Sequence, residues 1–169
     1  MKLTDLLLAQ LEAEAPRTRR AVERVPEGRD DWKPHDRSMT LGRLAVLVAT
    51  MPSWIAMIVN QDSLDLNPPG GSSYSPRPLR TRAELVQALD AGVADARKAL
   101  ASTTEDHLMK PWRLLVSGRV VNEEARHVVL RDTFMHLAHH RGQLTVYLRL
   151  HDVPVPAIYG PSADDTSFA

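Results

Sequence analysis

Apolar residues recur at helical spacing through four stretches of this chain. Leu3, Leu6, Leu7, Leu11, Ala15 and Val22 make one stripe, with Gln10, Glu14, Arg17 and Arg20 on the wet side. The pattern predicts a first helix from Leu3 to about Val25. Pro16 falls inside it and predicts a bend or a second piece. Pro26-Glu27-Gly28 end it, and Asp31-Trp32-Lys33-Pro34-His35 read as a connector. Ser38 or Thr40 then caps a second helix running to about Asn60. Its stretch from Leu44 to Val59 carries no charge, yet it is shorter than the roughly 20 residues of a membrane span. Thr50, Pro52 and Ser53 also interrupt it. The reading is a helix buried on nearly all sides, in the middle of a bundle or under a subunit interface, and no membrane contact.

Residues 61–80 hold Asn67-Pro68-Pro69-Gly70-Gly71-Ser72-Ser73, then Pro76 and Pro78, and nothing regular is expected there. A loop of that length fits a crossover between helices. Thr81-Arg82-Ala83-Glu84 is a capping box that opens a third helix, with Leu85, Leu89, Val93, Ala96 and Leu100 as its buried stripe to about Ala101. Leu114-Leu115-Val116 and Val120-Val121 flank Ser117-Gly118-Arg119, a pattern that predicts a small β-hairpin. Asn122 is expected to cap a fourth helix, with Glu123 and Glu124 at its positive end, running through Leu150. The proline-bearing tail from Val153 reads as extended or turn-rich. The expected fold class is all-α: a four-helix bundle with a long crossover between helices 2 and 3 and a short irregular or β-hairpin insert before helix 4.

Composition narrows the function. The chain has 169 residues, expected to form a single domain, with 21 basic and 21 acidic side chains and no cysteine. Zero formal charge excludes the basic excess of a nucleic-acid binder. The lack of cysteine removes disulfides, thiolate nucleophiles and cysteine zinc sites. With acids at Asp5, Glu12 and Glu14 the start of the chain does not read as a secretory signal, so a cytoplasmic protein is expected. No Gly-x-Ser-x-Gly elbow supports a serine hydrolase.

Three of the seven histidines crowd into Phe134-Met135-His136-Leu137-Ala138-His139-His140-Arg141-Gly142-Gln143. His136 and His140 stand four apart and share a helix face, with Gln143 and Tyr147 further along it. Two neutral imidazoles so placed can bind one divalent metal; polar packing on a solvated face explains the same spacing. His139 points roughly 100° away from His140. Arg141 could grip an anionic ligand, or hold the tail in a salt bridge for which Asp164 is a candidate. Trp54 and Tyr147 read as pocket lining or as core. Gly142, mid-helix, costs about 1 kcal/mol against alanine, which calls for a close backbone approach or a neighbouring helix.

His136-x-x-His139-His140-Arg141-Gly142-Gln143-Leu144, Tyr147-Leu148-Arg149, Val153-Pro154-Val155-Pro156 and Tyr159-Gly160-Pro161-Ser162-Ala163-Asp164 resemble the C-terminal half of the DinB/YfiT-like superfamily. Trp32-Lys33-Pro34, Thr40-Leu41-Gly42-x-Leu44-Ala45, Pro52 and Trp54 agree with its N-terminal half. The resemblance implies a four-helix bundle, commonly a homodimer, and in many members a divalent metal such as zinc or nickel held by three histidines. It places two ligands on His136 and His140 and the third on the second helix, at the position of Leu47. An alkyl side chain donates no lone pair, so the expected site is degenerate, with metal binding weak or absent.

The chain is therefore expected to be a protein of unassigned reaction, binding a small ligand or a residual divalent metal, with Leu47, Trp54, His139, Arg141, Gln143 and Tyr147 around the histidine pair. A homodimer through apolar helix surfaces such as the second helix is expected. One alternative is a metal-dependent, thiol-using transferase or isomerase with a substitute third ligand, for which His35, His107, His127, Asp36 and Asp132 offer donors. The other is a non-catalytic structural or interaction protein.

Overall fold

A computed structural model describes residues 2–71 and 77–167. Ser72, Ser73 and Pro76 of the expected crossover lie outside the described residues. In chain order the elements are α1 (Leu3–Val22), α2 (Leu41–Thr50), α3 (Pro52–Asn60), β1 (Ser63–Asp65), α4 (Arg82–Ser102), α5 (Glu105–Leu108), β2 (Pro111–Val116), β3 (Arg119–Ala125) and α6 (Arg126–Leu150). The protein is mostly helical with a small three-stranded sheet, so the all-α expectation is corrected to that extent.

Two helix boundaries follow directly from side-chain chemistry. The Thr40 hydroxyl accepts the Arg43 amide at 3.3 Å and starts α2. Thr81 and Glu84 form the reciprocal capping box, each side chain accepting the other's amide, and start α4. Helix α1 runs unbroken through Pro16, whose ring lies on an exposed side, so the expected second piece does not occur. The expected second helix is two: α2 and α3 meet at an angle of 49° where Met51 gives way to Pro52. Proline has no amide to donate and fits the first turn of a new helix, so the chain restarts there.

The expected hairpin is present, and it is larger than its sequence signal. Ser117 and Gly118 take positive φ, 54° and 76°, as a two-residue turn between right-twisting strands requires. Asp65 accepts both turn amides, at 3.0 and 2.7 Å. That carboxylate belongs to β1, which adds a parallel edge to β2 in the stretch expected to hold nothing regular, giving the order β1-β2-β3. Asn122 does not cap a helix. Asn122, Glu123 and Glu124 continue β3, paired with Leu114, Arg113 and Trp112, and α6 begins only at Arg126. An ion pair between Arg113 and Glu123 supports that cross-strand register.

Two packed clusters form the core. One joins Leu7 and Leu11 of α1 with Ile55, Ile58, Leu89, Trp112 and Leu130; the other joins Val22, Leu44, Val48, Leu85, Leu137 and Leu144. Trp54 borders both. Helix α4 crosses α3 at Gly92, where a Cβ would stand 3.0 Å from the Ser53 amide nitrogen. Much of the apolar run of α2 and α3 is taken up by this packing: Leu41, Leu44, Val48, Met51, Ile55 and Ile58 are buried within the chain, while Leu47, Trp54, Ala56 and Met57 are half-buried. No single described helix is long and apolar enough to cross a membrane.

Candidate functional site

Helix α6 brings His136 and His140 together. Their Nε2 atoms lie 2.8 Å apart and their ring centroids 4.6 Å apart. His140 Nδ1 lies 2.7 Å from the Gln143 amide oxygen, which can only accept. His140 therefore carries its proton on Nδ1 and turns the lone pair of Nε2 toward His136, whose Nε2–H donates. A hydrogen bond of this kind fixes the tautomer of a ligating imidazole in metal sites. Removal from water holds the His136 pKa below its ordinary value, and the neighbouring charges of His140 and His139 add to this. That favours the neutral form of the His136 ring, the state a metal needs.

The distance between the two Nε2 atoms is close to what one shared ion needs. With nitrogen–zinc distances of about 2.0–2.1 Å, two imidazole ligands stand roughly 2.9 to 3.4 Å apart, depending on the angle between them. The observed pair reaches that range by a small ring rotation, with the His136 proton moved from Nε2 to Nδ1 so that both Nε2 lone pairs face the ion. The position to which the resemblance assigns a third ligand is Leu47, half-buried on α2 against the second core cluster. A site of three histidines is therefore not what these residues build. Among the described residues no group of three His, Cys, Asp or Glu side chains could hold an ion.

Each of the substitute donors has a partner of its own in the structure. His107 Nε2 donates to the Val59 carbonyl at 2.8 Å, and His127 Nδ1 to that of Leu108 at 3.2 Å. His35 Nδ1 accepts the Arg37 amide, Asp132 holds Arg131, and Asp36 faces Lys33.

Of the remaining residues named around the pair, Trp54 packs near His136, with ring centroids 5.7 Å apart, and His139 stands edge-on to His140 at 5.0 Å. Tyr147 turns the other way, donating to the Met39 carbonyl at 3.1 Å with its ring edge-on to Trp32. Arg141 points into the protein, where it meets Glu14, Thr18 and Tyr159. Asp164, the acid proposed for it, is taken by Arg149. The partner Glu14 went unrecognised because in sequence it sat among the polar residues of α1; a buried acid there has no signal in spacing alone. Two clefts, of about 550 and 360 Å³, lie away from the pair: one is lined by Asp30, Arg43 and Arg80, the other by Leu3, Leu6 and Met135 between α1 and α6.

Comparison with known proteins agrees with the sequence pattern. A family model described as the DinB family matches residues 1–167. The uncharacterized protein YrdA of Bacillus subtilis (strain 168) is 26% identical over 166 residues, covering 95% of this chain and 90% of that protein. A crystal structure of a DinB-like protein from Bacillus cereus ATCC 10987 superposes with a TM-score of 0.69 at 18% identity, over 90% of this chain and 95% of that one. A DinB-like protein of Bacillus subtilis, YjoA, gives 0.64 at 16% identity, over 87% and 92%. At these identities the two structures speak for the fold.

Proposed function

This chain belongs to the DinB family, and from that premise we propose that it binds one divalent metal ion, zinc or nickel, through two histidines where the resemblance implies three. The observation that carries the reading is the approach of His136 and His140, Nε2 to Nε2 at 2.8 Å, with Gln143 setting the tautomer of His140. Chance packing of two imidazoles on a solvated face gives no reason for a third residue to orient one of them toward the other. Water completes the coordination where Leu47 offers only carbon. An ion there would polarise a bound water or small ligand; the chain's own contribution is to hold two neutral imidazoles one turn apart. Within the same reading α1, the α2–α3 pair, α4 and α6 are the four legs of a bundle, and residues 61–80 are its crossover.

Elemental analysis and calorimetric titration with zinc and with nickel, on protein purified without an affinity tag, test this. One ion per chain is expected in the wild type, and none in the His136→Ala/His140→Ala double variant. A wild type that takes up neither metal overturns the proposal.

A further inference from the structure

The larger of the two clefts is shaped by a backbone brace at the start of α2. The Leu41 and Gly42 amides donate to the carbonyls of Trp32 and Asp30 at 2.8 and 2.9 Å, and Thr40 Oγ1 takes the Arg43 amide. The first-turn amides are thereby used up, so any ligand in the cleft must be met by side chains. Gly42 makes the brace possible: a Cβ there would stand 3.0 Å from the Asp30 Cβ and 3.1 Å from its carbonyl oxygen. Held this close, the connector sets Asp30 and Asp31 into the wall of a cleft of about 550 Å³, which Arg43, Arg77 and Arg80 also line. Three of these five charges are engaged. Arg80 lies 3.9 Å from Asp30, and Arg77 lies 3.4 Å from Glu84. Arg43 and Asp31 are not. Both are exposed, and among the described residues neither side chain forms a hydrogen bond or ion pair, with the other or with any third residue.

We propose that this cleft binds a small zwitterion, an amino acid with an apolar side chain, with its carboxylate on Arg43 and its ammonium on Asp31. A cation and an anion that line one cleft without meeting leave a place between them for a molecule carrying both complementary charges. A simple anion fits less well, since it reaches Arg43 against the repulsion of Asp31; a simple cation meets the converse. The planar guanidinium matches a carboxylate in two parallel hydrogen bonds, and an aspartate accepts from an ammonium group. The apolar side chain is called for by the rest of the wall. Val46, Pro78 and Leu79 stand beside the charges, and covering them removes apolar surface from water on both partners. The cleft is also of the size of small-molecule sites, about 300–1,000 Å³, and far too large for a lone ion. This inference does not rest on metal binding, because neither His136 nor His140 lines the cleft.

NMR titration of the full chain, followed through its backbone amides at low ionic strength, tests it. The probes are L-leucine and L-phenylalanine, with N-acetyl-L-leucine, which lacks the ammonium, and L-leucine methyl ester, which lacks the carboxylate. One or both amino acids are expected to bind saturably and to shift the amides of residues 30–31 and 40–43. Each leucine derivative should bind about tenfold more weakly than leucine. Arg43→Gln and Asp31→Asn, both at exposed positions, should each weaken amino-acid binding about tenfold, roughly 1.4 kcal/mol, with an unchanged circular dichroism spectrum as the control for folding. Several results overturn the proposal. An acetyl derivative as tight as leucine makes the cleft an anion site, and an equally tight ester makes it a cation site. Failure of both amino acids to bind at millimolar concentration, or binding that both variants leave intact, shows that the charges of Arg43 and Asp31 hold no zwitterion.

Discussion

Glu14 and Arg141 meet inside the protein, carboxylate Oε2 to guanidinium Nη2 at 2.6 Å, with 2% and 1% of their side chains exposed. The pair ties α1 to α6 and gathers further partners. Thr18 accepts from the same guanidinium at 2.9 Å, Arg17 holds the second carboxylate oxygen at 2.8 Å, and Tyr159 donates to Glu14 at 3.0 Å from the C-terminal tail. Every strong donor and acceptor here is met, the condition under which a buried charge is tolerated.

Removing one partner leaves the other charged and dry. Glu14→Ala or Arg141→Ala is expected to destabilise folding by about 3–5 kcal/mol, read by denaturant melts. Burial by itself would raise the Glu14 pKa, but the hydrogen bond and charge of Arg141, with Tyr159 and Arg17, override it and hold it below the ordinary 4.5. A depressed carboxylate pKa contributes stability that is complete above the unfolded value and is lost as pH falls through the folded one. Wild-type stability should therefore decline below about pH 4.5, and that of Arg141→Ala should decline less steeply.

His136 adds a second dependence on pH. His136 has a lowered pKa, so its folded form resists protonation below the ordinary 6.5. As pH falls through the unfolded value the unfolded chain takes up the proton first. Stability falls until the folded pKa is passed, and then levels. Proton NMR of the imidazole C–H signals should show a His136 midpoint under 6.5, shifted back upward but incompletely in His140→Ala, because removal from water remains. A His136 midpoint at or above 6.5 would contradict the geometry.

Arg126 is the second buried arginine, 1% exposed at the start of α6. Its guanidinium donates to the carbonyls of Ile58 at 3.2 Å, Pro111 at 2.9 Å and Gln61 at 3.3 Å, and pairs with Asp62. One side chain thus pins the end of α3 and the starts of β1 and β2 to the last helix. Arg126→Met keeps the apolar stem and leaves the carbonyls without a donor; it should cost about 3 kcal/mol. Amide exchange should quicken first in residues 61–66, before the helices are affected.

How far the sequence could be read depends on whether a residue's partner is near it in the chain. The capping box at Thr81 and Glu84, the Thr40 cap and the Ser117-Gly118 turn are local chemistry, and each stands where the spacing put it. Asn122-Glu123-Glu124 has the composition of a helix start, but Arg113 on the neighbouring strand competes for Glu123 and extends β3 to Ala125. Strand β1 has only three residues and exists because β2 lies beside it. Arg141 carried the charge for a tail salt bridge, and nothing in its spacing distinguished the acid 127 residues away, Glu14, from Asp164. His136, His140 and Gln143 were legible because two successive helix turns join them; the expectation of a third ligand came only from the family resemblance.

That third position yields the most direct test of the site. If the two-histidine geometry is a three-histidine site short of one donor, Leu47→His restores it. The substitution places an imidazole on α2, at a half-buried position bordering the same core cluster as Trp54, whose ring packs near His136. Replacing a half-buried leucine by a polar ring should cost about 1–2 kcal/mol of apo stability. Zinc should repay it: a third nitrogen ligand is expected to tighten binding by about a hundredfold, some 2.7 kcal/mol, and to make the melting temperature rise with zinc concentration. The gain must vanish when His136 or His140 is also replaced by alanine, and Leu47→Asn, polar but without an imidazole, must not reproduce it. If Leu47→His binds zinc no better than the wild type, α2 does not converge on the pair, and the kinship between this site and a three-histidine centre ends at α6.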